Sequence, residues 1–136
     1  MDVRKEGILA KTLSTYDQFG YFYNEETIPF GSGVMRGTDP ENQCKLMVTG
    51  GSFLGIAAYR GVNVTDAREY PIKSTVEVIT KGHVWVKAAS TVVAGDKAAC
   101  GENGKFAKTG TSNYDDIDGV FETSANSGEY AILWLK

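Results

Sequence analysis

Residues 74–87 read STVEVITKGHVWVK, and the alternation within this stretch decides the fold class. Val76 and Val78 fall on one face of an extended chain, because successive side chains of a strand point to opposite faces. Gly82 interrupts the pattern, and His83–Lys87 resumes it with two further valines on a shared face. The stretch therefore predicts two successive, half-buried β-strands.

Turn residues and short β-branched or aromatic runs occupy the rest of the chain. Asn103-Gly104 lies between the strand-like runs 97–100 and 105–108 and predicts a hairpin, since both residues tolerate the positive φ of a type I′ turn. Residues 124–128, between the strand-like runs 119–123 and 129–135, are a second hairpin candidate. No window of twelve or more residues has a helical apolar stripe. We therefore expect an all-β, compact, single-domain β-sandwich or barrel, with a jelly roll as one form of it.

Two segments are apolar on both faces. They are Phe53–Tyr59 and Ala131–Leu135. A half-exposed strand would alternate, so a strand that is apolar on both sides lies either between two layers or against another subunit. Both explanations remain open from the sequence, with the central position favoured.

Composition excludes several classes of function. The 136 residues include one histidine, His83, and two cysteines, Cys44 and Cys100, which are too few and too far apart for common metal or redox motifs. The formal charge of -3 argues against a nucleic-acid partner, and no apolar run is long enough to cross a membrane as a helix. No nucleophile stands beside His83, so we expect no enzyme, no catalytic residues, no cofactor and no metal.

The first thirty residues differ from the remainder of the chain. They include Tyr21, Phe22, Tyr23 and Phe30, large side chains that are favoured where one end is apolar and the other is wet. We therefore divide the chain into residues 1–30, an extended arm or edge segment, and residues 31–136, the β-domain. The arm lies either against a partner or against its own sheet, and the sequence favours neither.

The order of several short motifs resembles the structural cement, or capsid decoration, proteins of tailed bacteriophages. Each motif is weak alone, and the resemblance rests on their order and spacing over about residues 7–135. The motifs are Gly7-Ile8-Leu9, Phe30–Val34, Phe53–Ala57, Tyr70 before Val76–Ile79, Lys81–Val86, Val92–Asp96, and Val120–Ala125 followed by Gly128.

The resemblance implies a function in assembly. It implies a protein made in the bacterial host cytoplasm that binds the outer surface of an assembled icosahedral capsid. There it would stabilise the shell by bridging neighbouring subunits of the major capsid protein. The resemblance also implies a homo-oligomer, and we slightly favour a dimer over a trimer because an isologous dimer needs one self-complementary patch.

The residue pattern and the family resemblance together suggest candidate contact residues. In addition to the four aromatic residues of the arm, we select Trp85, Trp134 and Leu135, each of which has core packing as its alternative. A carbohydrate- or receptor-binding β-module is an alternative function, because exposed aromatic residues can stack on sugar rings. Another virion part, such as a tail-tube or head-fibre subunit, is a further alternative.

Overall fold

The computed structural model describes residues 6–8, 18–59 and 68–136, and strands dominate these residues. The predicted all-β class is therefore confirmed. The strands are β1 Gln18–Asn24, β2 Ile28–Pro29, β3 Gly33–Arg36, β4 Gln43–Leu46, β5 Phe53–Ala57, β6 Glu69–Tyr70, β7 Thr75–Lys87, β8 Lys97–Gly101, β9 Phe106–Lys108, β10 Tyr114–Phe121 and β11 Tyr130–Leu135. Glu102–Gly104 forms a single 3-10 turn between β8 and β9.

Five strands close into a small barrel. Strand β4 pairs with β3, β3 with β5, and β5 with the first half of β7. Strand β1 completes the ring, since it pairs with β7 in antiparallel fashion and with β4 in parallel fashion. The parallel contact is short and joins Tyr23 to Gln43 and Asn24 to Cys44.

Strand β7 connects the barrel to a second sheet. The two strands predicted within residues 74–87 are one strand of 13 residues that continues through Gly82, which has a φ of 136°. Beyond Gly82 the strand pairs with β11, and the order continues through β10 and β8 to β9. An isolated bridge from Ala88 to Phe106 links β9 back to the end of β7. The jelly-roll form is not confirmed.

Two apolar cores follow from this arrangement. The barrel core contains Val76 and Val78, whereas Val84 and Val86 belong to a second core between the barrel and the second sheet. The burial of these four valines agrees with the pattern of residues 74–87, and their division between two cores is decided by the tertiary structure. The barrel core consists of Ile28, Phe30, Val34, Cys44, Ala57, Tyr70, Val76 and Val78. The inter-sheet core is larger and includes Met47, Ile56, Ile79, Cys100, Phe106, Phe121, Leu133 and Leu135.

The two-sided apolar segments have different explanations. In β5, Ile56 belongs to the inter-sheet core and Ala57 to the barrel core, so this strand lies between two layers. In β11, Leu133 and Leu135 are buried in the inter-sheet core, whereas Trp134 is exposed. The outer face of β11 is therefore an apolar surface rather than a second core contact.

Local turn chemistry agrees with the sequence. Asn103 and Gly104 have φ angles of 59° and 69°, the left-handed conformation that the predicted hairpin needs. A side chain at Gly104 would meet the backbone of Gly33, so the hairpin packs closely against β3. Glycine at positions 33 and 104 therefore permits the hairpin of the second sheet to approach strand β3 of the barrel.

Strand β1 lies within the segment 1–30 that the sequence analysis separates as an arm. Its residues Phe19–Tyr23 pair with β7 in one register, so this part of the segment is a strand of the barrel. Gly7 and Ile8 also form backbone hydrogen bonds with Trp85, each 2.8 Å long. The boundary at residue 30 stays a prediction.

Candidate interaction surfaces

Two neighbouring tyrosines on the outside of β1 form the most exposed aromatic surface of the described residues. Tyr21 is 68% exposed and Tyr23 is 58% exposed. On the adjacent strand they lie opposite Glu77 and Thr75, respectively. We call this surface, Tyr21 and Tyr23 with the backbone of Gln18–Phe22, the tyrosine edge. Large apolar rings with polar tips, held on a strand, are well suited to a contact with another protein.

A tight turn with an exposed isoleucine lies beside the tyrosine edge. Ile72 is 56% exposed, and the next residue, Lys73, has the left-handed φ of 63°. The amide of Asn24 fixes this turn, since its nitrogen donates to the Pro71 carbonyl and its oxygen accepts from the Ser74 N–H, both at 2.7 Å. Asn24 is buried, so these bonds also satisfy an amide that water does not reach. Ile72 is therefore presented by a turn whose conformation is internally held.

An acidic turn lies at the same end of β1. The carboxylate of Asp39 accepts hydrogen bonds from the Glu41 N–H and the Asn42 side chain, which lower its pKa. Glu41 is exposed in the same turn. Arg36 donates to the Pro40 carbonyl at 2.7 Å and brings a positive charge to the turn. Within this turn the two carboxylates outnumber the single guanidinium of Arg36.

A second aromatic surface lies on the outer face of the second sheet. His83 and Trp134 face each other across β7 and β11 and stack with their ring planes 5° apart and centroids 5.3 Å apart. Trp85 and Ile132 form the next cross-strand pair and are half-buried. We call these four residues the tryptophan face. Beneath the face, β11 pairs with β7 and β10, and on the other side of β7 the backbone of Trp85 bonds to Gly7 and Ile8, so this surface offers chiefly side chains.

Charged groups surround Trp134. The Lys136 ammonium lies 4.9 Å from the centroid of its ring, a distance at which a cation is attracted to the aromatic face. His83 Nε2 lies 3.8 Å from Glu122 Oε1. The Lys136 ammonium and the His83 ring thus lie next to the indole, and 37% of Trp134 remains exposed. The arrangement resembles an interface anchor, an aromatic ring with a polar surround.

The other predicted contact residues lie deeper in the molecule. Phe30 is buried in the barrel core, where its ring makes edge-on contacts with Tyr59 and Tyr70 at 5.4 and 5.1 Å. Leu135 is buried in the inter-sheet core, and Phe22 packs against the barrel core from a half-buried position. Tyr21, Tyr23 and Trp134 are therefore the predicted contact residues with the greatest exposure.

An open cavity of about 410 Å³ lies where the barrel meets the second sheet. Phe30, Leu46 and Phe106 contribute apolar lining, and Glu6, Lys87 and Lys105 bring charges of both signs. No group of three or more metal-ligating side chains occurs among residues 6–8, 18–59 and 68–136. Within the same ranges there is no helix that could cross a membrane.

Both cysteines are buried thiols. Burial raises the pKa of Cys44 and of Cys100 to about 12. The thiolate, which is the reactive form, is thereby disfavoured. Cys44 lies in the barrel core and Cys100 in the inter-sheet core, so each core contains one thiol that behaves as a small apolar group.

Sequence reasoning did not identify Ile72 or its turn. One signal was available, since Ile72 is a large apolar residue between Pro71 and Lys73, in a segment otherwise typical of a turn. The role of Asn24 had no local signal, because its partners are 47 and 50 positions away.

Comparison of the sequence and of the fold with known proteins finds similar proteins from phage particles. The sequence model of the structural cement protein family (E217 gp24/Pam3 gp6) matches residues 6–136. A chain of the capsid of Myoviridae phage XM1 has a TM-score of 0.79 at 16% identity, covering 99% of this chain and 92% of that chain. The N base of head fiber gp8.5 of bacteriophage phi29 has a TM-score of 0.54 at 12% identity, covering 88% and 94%. A search of curated proteins gave no match.

The two structural likenesses show a shared fold, and the family match shows membership. The resemblance found in the order of short motifs is thereby confirmed over nearly the whole chain. The chain belongs to the phage structural cement protein family and has a structural role in the virion.

Proposed function

We propose that this protein binds the outer surface of an assembled icosahedral capsid and bridges neighbouring subunits of the major capsid protein. It is made in the bacterial host cytoplasm and then joins the shell. The observation that carries this proposal beyond family membership is the presence of two separate exposed aromatic surfaces, one on each sheet. A bridge between capsid subunits needs two capsid contacts, and a dimer formed through the tryptophan face would carry two tyrosine edges.

The distance between the two surfaces suits this function. Tyr23 lies opposite Thr75, and Trp134 lies opposite His83, eight positions further along β7. At about 3.3 Å per residue, the two surfaces are separated by roughly 26 Å along the strand. One molecule can therefore contact one neighbour through the barrel and another through the second sheet.

We assign the tyrosine edge to a capsid subunit and the tryptophan face to a second copy of this chain. The tryptophan face contains a His83–Trp134 stack with nearly parallel rings, which can meet its own symmetry mate in an isologous dimer. A dimer makes twice as many capsid contacts as a monomer, because it carries two tyrosine edges.

Preference for the assembled shell gives the stabilising effect. A ligand that binds one state and not the other stabilises that state by about 2.7 kcal/mol per site when its free concentration is 100 times its Kd. Many sites repeat over an icosahedral surface, so a modest contribution per copy suffices.

Cosedimentation tests the proposal. We expect the purified protein to pellet with assembled shells that lack it and to remain in the supernatant with unassembled capsid subunits. A three-dimensional reconstruction of the decorated shell would then locate it on the outer surface. Absence from the pellet at protein concentrations up to the micromolar range would contradict the proposal.

Trp134→Ala tests the assignment of the tryptophan face. Because a buried aromatic anchor typically contributes about 2 kcal/mol or more to binding, we expect weaker self-association in sedimentation equilibrium. Val93→Ala is the matched control, since Val93 is an exposed apolar residue in another region, at 58% exposure. Equal self-association of wild type, Trp134→Ala and Val93→Ala would remove the tryptophan face from the interface.

A head-fibre base is the second candidate, favoured by the fold likeness to the phi29 protein. The same reconstruction discriminates between the two, because a fibre base would project from isolated points and a cement protein would cover seams between subunits. Binding on a glycan array would instead support the carbohydrate-binding alternative.

A further inference from the structure

Among residues 6–8, 18–59 and 68–136, the backbone of β1 has hydrogen-bonded partners along one side, on β7, and on the other side at its end, on β4. Alternate residues of a strand direct their N–H and C=O groups to the same side. The Asn24 N–H donates to Ser74, on the β7 side, whereas the Tyr23 N–H donates to Asn42, on the β4 side, at 2.8 Å. Tyr21 lies two positions before Tyr23, so its N–H and C=O also point away from β7.

Nothing among residues 6–8, 18–59 and 68–136 pairs as a strand with Gln18–Phe22 on that side. Strand β4 begins at Gln43, and the residues before it form the turn closed by hydrogen bonds to the Asp39 carbonyl. The turn takes the chain away from β1, so the parallel pairing stops at Tyr23. Among the described residues, therefore, Gln18–Phe22 has an unpaired strand edge next to Tyr21, the most exposed tyrosine of that set.

Strand β9, at the other end of the strand order, has a protected edge. Strand β9 has three residues, is flanked by Lys105 and ends at Lys108, and its first residue is bridged to Ala88. Charges and short length are the usual means by which proteins prevent an edge from pairing with another chain. Gln18–Phe22 contains no charge and no proline, and its bulge is confined to the Gln18/Phe19 step. This edge therefore lacks most of the usual protection.

We propose that Gln18–Phe22 receives an extended segment of a capsid subunit, which adds to the barrel as an extra strand beside β1. This inference rests on the proposed function and specifies how the tyrosine edge works. In strand addition, main-chain hydrogen bonds supply affinity and side-chain contacts supply specificity. Here Tyr21 supplies the main-chain groups and, through its exposed ring, the side-chain contact.

Charge at the end of the edge indicates the chemistry of the added segment. Asp39 and Glu41 outnumber Arg36 in the turn where the open edge ends. A segment with a lysine or arginine at that end would therefore bind better than a neutral one. A second copy of β1 would not supply this charge, since Gln18–Asn24 contains no basic residue. The edge thus fits a different chain rather than a second copy.

A proline substitution tests the backbone contact. Tyr21→Pro removes the N–H that points away from β7 and leaves the donors that face β7, a position where proline is tolerated in edge strands. Tyr21→Ala is the matched control, because it loses the ring and keeps the N–H. We expect Tyr21→Pro to bind assembled shells about tenfold more weakly than Tyr21→Ala, since the partner's acceptor is left unsatisfied.

Hydrogen–deuterium exchange provides a measurement that does not depend on the variant folding. In the wild-type protein bound to shells, we expect the Tyr21 amide to exchange at least about tenfold more slowly than in the free protein. The Tyr23 amide, already bonded to Asn42, serves as the internal control.

The outcomes separate the two proposals. If wild-type protein fails to bind shells, the proposed function is wrong. If it binds, but Tyr21→Pro equals Tyr21→Ala and the Tyr21 amide is unchanged, strand addition is wrong. If Tyr21→Pro abolishes self-association in the absence of shells, the occupant is a second copy and the capsid segment is overturned.

Discussion

The barrel and the second sheet share β7 but present their aromatic residues to the surface in different ways. In the second sheet, Trp134 lies on a strand that pairs with β7 and β10, so a partner meets chiefly side chains. In the barrel, Tyr21 lies beside an edge that no other described strand pairs with, so a partner there would meet main-chain groups as well. Side-chain contacts suit a self-complementary face, and main-chain contacts suit an extended segment from another chain.

The largest expected effect comes from the two cores. Phe121 and Phe30 each fill one of them, so Phe121→Ala and Phe30→Ala should each lower the free energy of unfolding by about 3–5 kcal/mol. Because β7 crosses both cores, we expect one cooperative transition in each variant. Urea unfolding followed by tryptophan fluorescence reports on the second sheet, which contains Trp85 and Trp134, and thiol labelling of Cys44 in a Cys100→Ala background reports on the barrel core.

Different midpoints for the two signals would contradict this prediction. Such a result would mean that the barrel and the second sheet unfold separately, despite the shared strand. Val93→Ala is the control for both phenylalanine variants, since an exposed valine contributes little to the core.

The next largest loss of stability is expected where the barrel packs against the second sheet. A Cβ at Gly33 would clash with Cys100 Sγ and lie 3.1 Å from the Phe106 ring, so Gly33→Ala should destabilise the protein by about 1–3 kcal/mol. Adding Cys100→Ala removes the sulfur and should recover part of this loss. Thermal melts of both single variants and the double variant measure the coupling. Strict additivity would show that β3 and β8 adjust independently.

The turn beside the tyrosine edge gives a smaller effect. Asn24→Ala removes two hydrogen bonds, to Pro71 and from Ser74, and should lower the free energy of unfolding by about 1–2 kcal/mol. It should also weaken shell binding more than Tyr23→Ala does, if the held turn presents Ile72 to the partner. Denaturation and cosedimentation test the two parts, and unchanged stability would show that water replaces the amide.

The smallest effect concerns thiol exposure. Cys44 and Cys100 lie in different cores, so Cys44→Ala and Cys100→Ala each leave one reporter. Burial raises the pKa of both thiols to about 12, and we expect slow labelling by a disulfide reagent at neutral pH, at similar rates. Labelling of Cys44 more than about tenfold faster than Cys100 would show that the barrel opens on its own.

Much of the fold was predictable because its signals are local. The alternation in residues 74–87 predicts that the valines of β7 share a buried face. The Asn103-Gly104 pair adopts the positive φ angles that its turn requires. The continuity of β7 was not predictable, because a glycine between two alternating runs is equally typical of a turn. The structure instead uses Gly82 to pass one strand from the barrel into the second sheet.

The candidate surfaces were predictable only in part. The sequence indicates which side chains are large, aromatic and alternating, but not which of them face another element of the same chain. Phe30 and Leu135 were selected for the same reasons as Tyr21 and Trp134, yet the first two are buried and the last two are exposed. Their burial depends on contacts with residues far away in the sequence, such as Tyr70 beside Phe30.

By itself, the sequence determined the all-β class, the main turns and the order of motifs that places the chain in its family. These depend on backbone preferences and on side-chain periodicity, which act over a few residues. Only the tertiary structure decided that β1 closes a barrel, that its pairing with β4 is limited to Tyr23 and Asn24, and that Asn24 holds the turn of Ile72. The physical reason is that hydrogen bonds between distant strands determine which polar and apolar groups remain at the surface.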